Sequence, residues 1–259
     1  MELSTSDINF PNYQQVYDYY AEKRLYSLRP LIADFVTSKI FSPEIEISKG
    51  TLEFIDIAHQ QKTPLIITAN HVQYHDHNVV SSAIHKIPTL RNHIVAKTVI
   101  LAKPEYFQDE KSRLKHEKSN VVPIFRTKDM GQTVTNMELH ASSEAANSML
   151  LTRLSKGQNI FLFPESTRNN KDWQKLLQLG GQIGRLATGA IEKDIEFGII
   201  NLGLAYKSQK KIDIFKAQVT FSHITRDDLE ELTGHHQIKN LIRNELQQCV
   251  DTSNSKFNN

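Results

Sequence analysis

Between Pro11 and about Phe41 apolar positions recur at helical spacing: Tyr13, Val16, Tyr17 and Tyr20, then Leu25, Leu28, Ile32, Phe35 and Val36. Pro30 is tolerated in a first helical turn, so the pattern predicts two helices meeting near Leu28–Pro30 rather than one. Their apolar stripe is expected to pack on the rest of the chain. With Lys23, Arg24 and Arg29 alongside, the same stripe also suits an anionic lipid surface. The polar residues 1–9 ahead of it are expected to fray.

From Pro43 the period changes. Glu44–Ser48 alternates Glu, Ile, Glu, Ile and reads as a strand, Gly50–Gln60 as a helix, and Pro64–Thr68 as a short buried strand ending at Asn70-His71. His93–Ala96, Val121–Phe125, Asn159–Phe163 and Phe197–Ala205 are further strands by the same criterion, with helices at Ala141–Lys156 and Trp173–Ile191. Ile212–Ser222 alternates like an exposed strand. Thr225–Val250 reads as one or two closing helices broken at Gly234, and Asp251–Asn259 as a polar tail. Such alternation predicts an α/β fold: a central mixed, largely parallel sheet flanked by helices, with an N-terminal helical extension. The expected division is a helical segment, 1–43, packed on a main domain, 44–259.

Composition narrows the class. A chain of 259 residues suits one such domain, burying roughly 70% of the surface its unfolded form exposes. The single cysteine, Cys249, excludes an intramolecular disulfide and fits a reducing cytoplasm. A formal net charge of +2 argues against bulk electrostatic binding of nucleic acid. No apolar run approaches the ~20 residues that span a bilayer, and the first twenty residues lack a signal-peptide pattern. The expectation is a cytoplasmic protein, soluble or held peripherally on the inner face of the cytoplasmic membrane.

The chemistry concentrates at strand ends. Leu65-Ile66-Ile67 delivers His71 to its C-terminal end, where open α/β sheets bind ligands. If the chain turns into a helix after His71, Asp76 folds back to accept the imidazole Nδ1–H, leaving Nε2 free as a base. No serine or cysteine nucleophile accompanies the pair, so the base would act on a substrate hydroxyl directly. Three histidines and an aspartate between His71 and His77 also fit metal ligation, His71 and His75 being four apart. No matching cluster follows; His235-His236 reads as a surface turn, so His75 and His77 are expected to be solvated and no metal is assigned. Phe163-Pro164-Glu165-Ser166-Thr167-Arg168 places a glutamate, two hydroxyls and an arginine after another strand. Arg168 suits bidentate phosphate binding, and Glu165 suits either a substrate hydroxyl or the loop backbone. Val121-Val122-Pro123-Ile124-Phe125-Arg126 ends a third strand on an arginine.

Taken together these segments resemble the glycerolipid acyltransferase family, which includes lysophosphatidic acid and glycerol-3-phosphate acyltransferases. Asn70-His71, four residues and Asp76 match its first motif. Val122–Arg126 is similar to the second without its usual leading glycine, and Phe163–Arg168 to the third with Ser166 in place of glycine. Phe197–Leu202 stands where the fourth has a proline, which it lacks. The resemblance spans about Glu44 to Ala205. It implies that His71 is the general base and Asp76 its orienting partner. It makes Asn70, Arg126, Glu165, Ser166, Thr167 and Arg168 substrate-binding residues, with Arg126 on the acceptor phosphate. It implies acyl-CoA or acyl carrier protein as acyl donor, glycerol-3-phosphate or a lysophospholipid as acceptor, and no resident cofactor or metal.

Many relatives carry a membrane-spanning helix. Here the routes to a membrane surface are the N-terminal helices and Lys103–Lys118, whose mixed charges also read as a plain solvated loop. Three other functions compete with acyl transfer: a metal-dependent hydrolase using the His71–His77 cluster, a thioesterase in which His71 activates water, and a non-catalytic lipid-binding module.

Overall fold

The computed structural model describes residues 3–23, 40–95, 97–126, 134–169, 171–207 and 216–257. Its strands are β1 (Glu44–Ile47), β2 (Leu65–Ala69), β3 (Thr98–Ala102), β4 (Val121–Pro123), β5 (Asn159–Leu162), β6 (Gly198–Ala205) and β7 (Gln218–Ile224). They form one seven-stranded sheet in the order β1-β7-β6-β2-β5-β3-β4. Only β6 and β7 pair antiparallel, so β1 and β7 run against the other five. The α/β fold with a mixed, largely parallel sheet is therefore present.

β2, β5 and β6 are buried along their whole length, which is why they read as unbroken apolar runs rather than alternating ones. Their register sorts side chains into two layers. Ile66 lies level with Ile160 and Ile199, and all three join the core beneath one set of helices. Ile67 lies level with Phe161 and Ile200, one residue on, and these join the opposite core.

The helices are α1 (Tyr13–Glu22), α2 (Thr51–Gln61), α3 (Asp76–His85), α4 (Pro88–Ile94), α5 (Glu110–Glu117), α6 (Asn136–Ser155), α7 (Gln182–Glu192), α8 (Asp227–Glu230) and α9 (His235–Ser255). α1, α6, α7 and the start of α9 supply the first core, while α2, α3 and α4 supply the second. Thr135 and Glu138 form a capping box that starts α6. α9 lies against β6 because Gly203 has no side chain; a Cβ there would sit 2.2 Å from the backbone carbon of Cys249.

In α1, Val16, Tyr17 and Tyr20 are buried as their spacing predicts. The Tyr17 hydroxyl accepts from the backbone N–H of Phe125 at 2.9 Å, fixing the chain just before Arg126. Burial pushes Tyr17 up to about 12. The buried Arg153 donates to the carbonyl of Tyr20 and, at 3.0 Å, to Gln158 Oε1, closing the C-terminal end of α1. Leu25, Leu28, Pro30, Ile32, Phe35 and Val36 lie outside the described residues, as do Arg24 and Arg29. Among the described residues no helix is long and apolar enough to cross a membrane.

Several expectations are corrected. Residues 3–8 are anchored, because Leu3 and Ile8 are buried on either side of a 3-10 turn. His93 and Ile94 end a helix rather than begin a strand. Pro88 starts that helix, the His93 ring bonds the carbonyl of Thr63 at 2.8 Å, and the strand begins at Thr98. The helix expected from Trp173 starts only at Gln182, after Gly180 and Gly181. Of the strand expected over Ile212–Ser222, residues 212–215 lie outside the described residues; the described strand is Gln218–Ile224. Lys103–Lys118 holds a 3-10 turn and α5, and buries Glu117, which accepts from the Tyr20 hydroxyl at 2.9 Å and pairs with Lys23 at 2.6 Å. His235 and His236 open α9, and that helix runs on to Ser255. Within its polar end Ser253 and Asn254 are buried, Ser253 finding partners in the carbonyl of Gly203, at 2.8 Å, and the hydroxyl of Thr220, at 2.7 Å.

Candidate active site

β2 hands its chain to the site through Asn70. The buried amide of Asn70 donates to the carbonyl of Leu204 at 3.0 Å and accepts from its N–H at 2.7 Å. It thus continues the β2–β6 pairing with a side chain and lets the backbone leave the sheet at His71. Both polar ends of Asn70 are spent on this.

Asp76 is the first residue of α3 and is fully buried. Its Oδ2 accepts from His71 Nδ1 at 2.8 Å and from the backbone N–H groups of Val72 at 2.5 Å and Gln73 at 2.8 Å. Its Oδ1 accepts from the hydroxyl of Tyr206 at 2.6 Å. Four donors and a helix N-terminus stabilise a carboxylate that would otherwise be costly to bury. The bond from Nδ1 requires a proton there, so Nε2 is the basic nitrogen. Among the described residues no group hydrogen-bonds His71 Nε2, and the side chain keeps 19% of its surface exposed. The ring stacks on Phe163, with centroids 4.2 Å apart and planes 17° from parallel.

The loop after β5 is sewn to the histidine. Glu165 Oε1 accepts from the N–H of His71 and Oε2 from the N–H of Leu177, each at 2.8 Å. The N–H of Asn169 donates to the carbonyl of His71 at 2.7 Å. Of the two roles open to Glu165, holding backbone is the one its geometry takes. Burial raises its pKa, and the two N–H groups oppose that. Ser166 has φ +55°, the left-handed region that favours glycine, and sits where the resembling motif has glycine. The guanidinium of Arg126 donates to the carbonyl of Ser166, which joins the exit of β4 to this loop. Thr167 and Arg168 are exposed, and the Arg168 guanidinium lies 5.4 Å over the ring of Tyr74.

His75 and His77 do not converge with His71 on a common point. His75 Nδ1 faces Asn78 Nδ2 at 3.2 Å, and among the described residues no three His, Cys, Asp or Glu side chains are grouped to hold a metal.

An apolar groove of about 210 Å³ starts at Phe163, beside the His71 ring. Ile67, Phe161 and Ile100 form its floor, and Val80, Ile84 and Ile94 its helical wall. It reaches Thr98 at the far end of β3. Since Thr98 lies level with Asn159 in register, that point is four strand residues from Phe163, roughly 13 Å away.

Phe163, Asn169 and Tyr206 are the site residues that sequence reasoning assigns no role. Phe163 was legible as the last apolar residue before Glu165. The only sequence signal at Tyr206 is an aromatic side chain directly after a long apolar strand.

A histidine oriented by a buried carboxylate thus stands at the carboxyl edge of an α/β sheet, an arrangement chemically able to accept a proton from a hydroxyl or water. The acyltransferase family model matches residues 52–207, more than half of the chain, and the protein belongs to that family. The matched span includes His71, Asp76, Arg126 and the whole Phe163–Arg168 segment, and ends one residue beyond Tyr206. No curated protein matches the chain.

Proposed function

We propose that this acyltransferase moves a fatty acyl group from a thioester, acyl-CoA or acyl carrier protein, to a hydroxyl of glycerol-3-phosphate or a lysophospholipid. The observation that carries this reading is His71, its Nδ1 fixed on Asp76 and its Nε2 unbonded among the described residues, stacked on Phe163, which lines an apolar groove. The acyl chain lies in the groove with its thioester at Phe163. His71 Nε2 takes the proton from the acceptor hydroxyl as that oxygen attacks the thioester carbonyl. The tetrahedral intermediate then expels the thiolate, which receives the proton from His71. Asp76 stabilises the imidazolium formed between the two transfers. Arg126 and Arg168 meet the acceptor phosphate from either side of the Ser166 loop. No resident cofactor or metal enters the step. The exposed Tyr74 and Arg168 at the rim suit a peripheral encounter with lipid on a cytoplasmic membrane face.

The test is thiol release from acyl-CoA and acyl carrier protein donors, with each acceptor supplied in turn and products resolved by mass. Acceptor-dependent release that falls by about 10²–10⁴-fold in His71→Ala supports the reading. Release of free fatty acid without acceptor overturns it in favour of a thioesterase. Undiminished transfer in His71→Ala removes the histidine from the mechanism.

A further inference from the structure

Asp76 is held by groups from two distant parts of the chain. His71, Val72 and Gln73 all address Oδ2 from the loop after β2, whereas the hydroxyl that addresses Oδ1 comes from Tyr206, 130 residues away at the end of β6. The three donors on Oδ2 already resist rotation of the carboxylate about its Cβ–Cγ bond, and the donor on Oδ1 fixes the same rotation from the opposite side.

The geometry points to Tyr206 as a positioning residue of the reaction: its hydroxyl locks the Asp76 carboxylate in the plane that orients His71, and tempers the charge that the imidazole meets. This rests on His71 acting as the base.

The surroundings suit a fixed donor. Tyr206 is 1% exposed, and its ring packs in the core shared with Val79, Val80 and Leu204. Burial and the neighbouring carboxylate raise its pKa well above that of an ordinary tyrosine, so the phenol keeps its proton throughout the working range. Asp76 is buried even more completely, so no solvent replaces a lost donor at Oδ1 without opening the core. The position also couples the site to the sheet. Two residues before Tyr206, Leu204 is bonded by Asn70, so β6 grips the catalytic loop at both Asn70 and Asp76.

Removing only the hydroxyl leaves more negative charge on Asp76, and an imidazolium beside it is better stabilised. The acid limb of the kcat/KM profile should therefore move to higher pH in Tyr206→Phe. The remaining ionisable groups that bear on the ring, Glu165 and His77, are untouched by the change. Loss of the rotational lock should lower kcat with KM little altered, by about ten-fold on the scale of other orienting partners.

The experiment measures transfer against pH for the full-length wild-type protein, Tyr206→Phe and His71→Ala, with urea midpoints alongside. A second readout, the Nδ1 proton of His71 by NMR, needs no turnover. The expected result is a folded Tyr206→Phe protein with reduced kcat, an upshifted acid limb and a displaced Nδ1 resonance. A lower rate with the acid limb and resonance unchanged reduces Tyr206 to a packing residue and overturns the proposal. So does a wild-type rate. If the Phe variant does not fold, Tyr206→3-fluorotyrosine keeps the ring and strengthens the donor; the acid limb then moves to lower pH, and an unmoved limb overturns the proposal. An active His71→Ala protein overturns the underlying reading instead, which separates the two failures.

Discussion

Asp76→Asn changes one charge and almost no volume, and the structure determines how the amide sits. Its single acceptor oxygen must take the place of Oδ2, where the N–H groups of His71, Val72 and Gln73 converge. Its NH₂ then faces the Tyr206 hydroxyl, which can turn and accept. The two backbone donors therefore hold the amide in the orientation that preserves the histidine tautomer, and the fold around the site survives. What disappears is the negative charge that meets the imidazolium. A unit charge pair about 4 Å apart at an effective dielectric near 20 is worth ~4 kcal/mol. The amide dipole recovers part of that, leaving a barrier raised by about 3 kcal/mol, roughly two decades in kcat. Acceptor-dependent thiol release at saturating donor, followed across pH, measures it. The acid limb should also move to lower pH, because the protonated ring loses its counter-charge. An Asp76→Asn protein with a wild-type urea midpoint, kcat within about three-fold of wild type and an unmoved acid limb refutes the reasoning.

Three further outcomes follow from particular contacts. Ser166 holds a left-handed φ of +55°, which costs an L-residue about 1–2 kcal/mol. Glycine gives part of that back as extra freedom of the unfolded chain. Ser166→Gly should raise the urea-derived stability by about 0.5 kcal/mol, and a loss of that size counts against the assigned strain. Glu165 is raised by burial, so between its unfolded value and its raised one the folded protein binds more protons than the unfolded chain, and stability falls as pH rises through that window. Urea midpoints from about pH 4 to 7 should show this slope in the wild type and a flatter one in Glu165→Gln; equal slopes would mean that another group titrates. Val95 lines the groove at the end remote from Phe163. Val95→Trp should shift preference among acyl-CoA donors toward shorter chains, and an unchanged chain-length profile places the acyl group elsewhere.

How much of this was legible in the sequence depended on the span of the interactions. His71 and Asp76 could be paired from their spacing alone, because a turn into α3 brings the fifth residue back to the first. Only local geometry is involved. The strand ends at Arg126 and Glu165 were legible for a related reason: each follows a short, fully buried apolar run, β4 at the edge of the sheet and β5 in its middle. The start of β3 was placed too early because the β-branched Ile94 and Val95 beside His93 read as a strand. What distinguishes them is a tertiary contact, the His93 ring on the carbonyl of Thr63. The polar end of α9 was misread for the same reason, since Ser253 is buried only through partners on β6 and β7.

The functional residues divide along the same line. Those that would touch substrate are clustered in short segments and carry a readable pattern. Those that hold them in place do not. Tyr206 reaches Asp76, and Asn70 reaches Leu204, only because β2 lies beside β6 in the sheet. Glu165 and Asn169 reach the His71 backbone only because β2 also lies beside β5. Both neighbours follow from strand order, not from any local spacing. The central position of β2 thus has a chemical consequence. A histidine at the end of this strand can be fixed from both sides at once, its carboxylate partner by β6 and its own backbone by the loop after β5. A histidine at the end of β1 or β4, the two edge strands, would have such support on one side only.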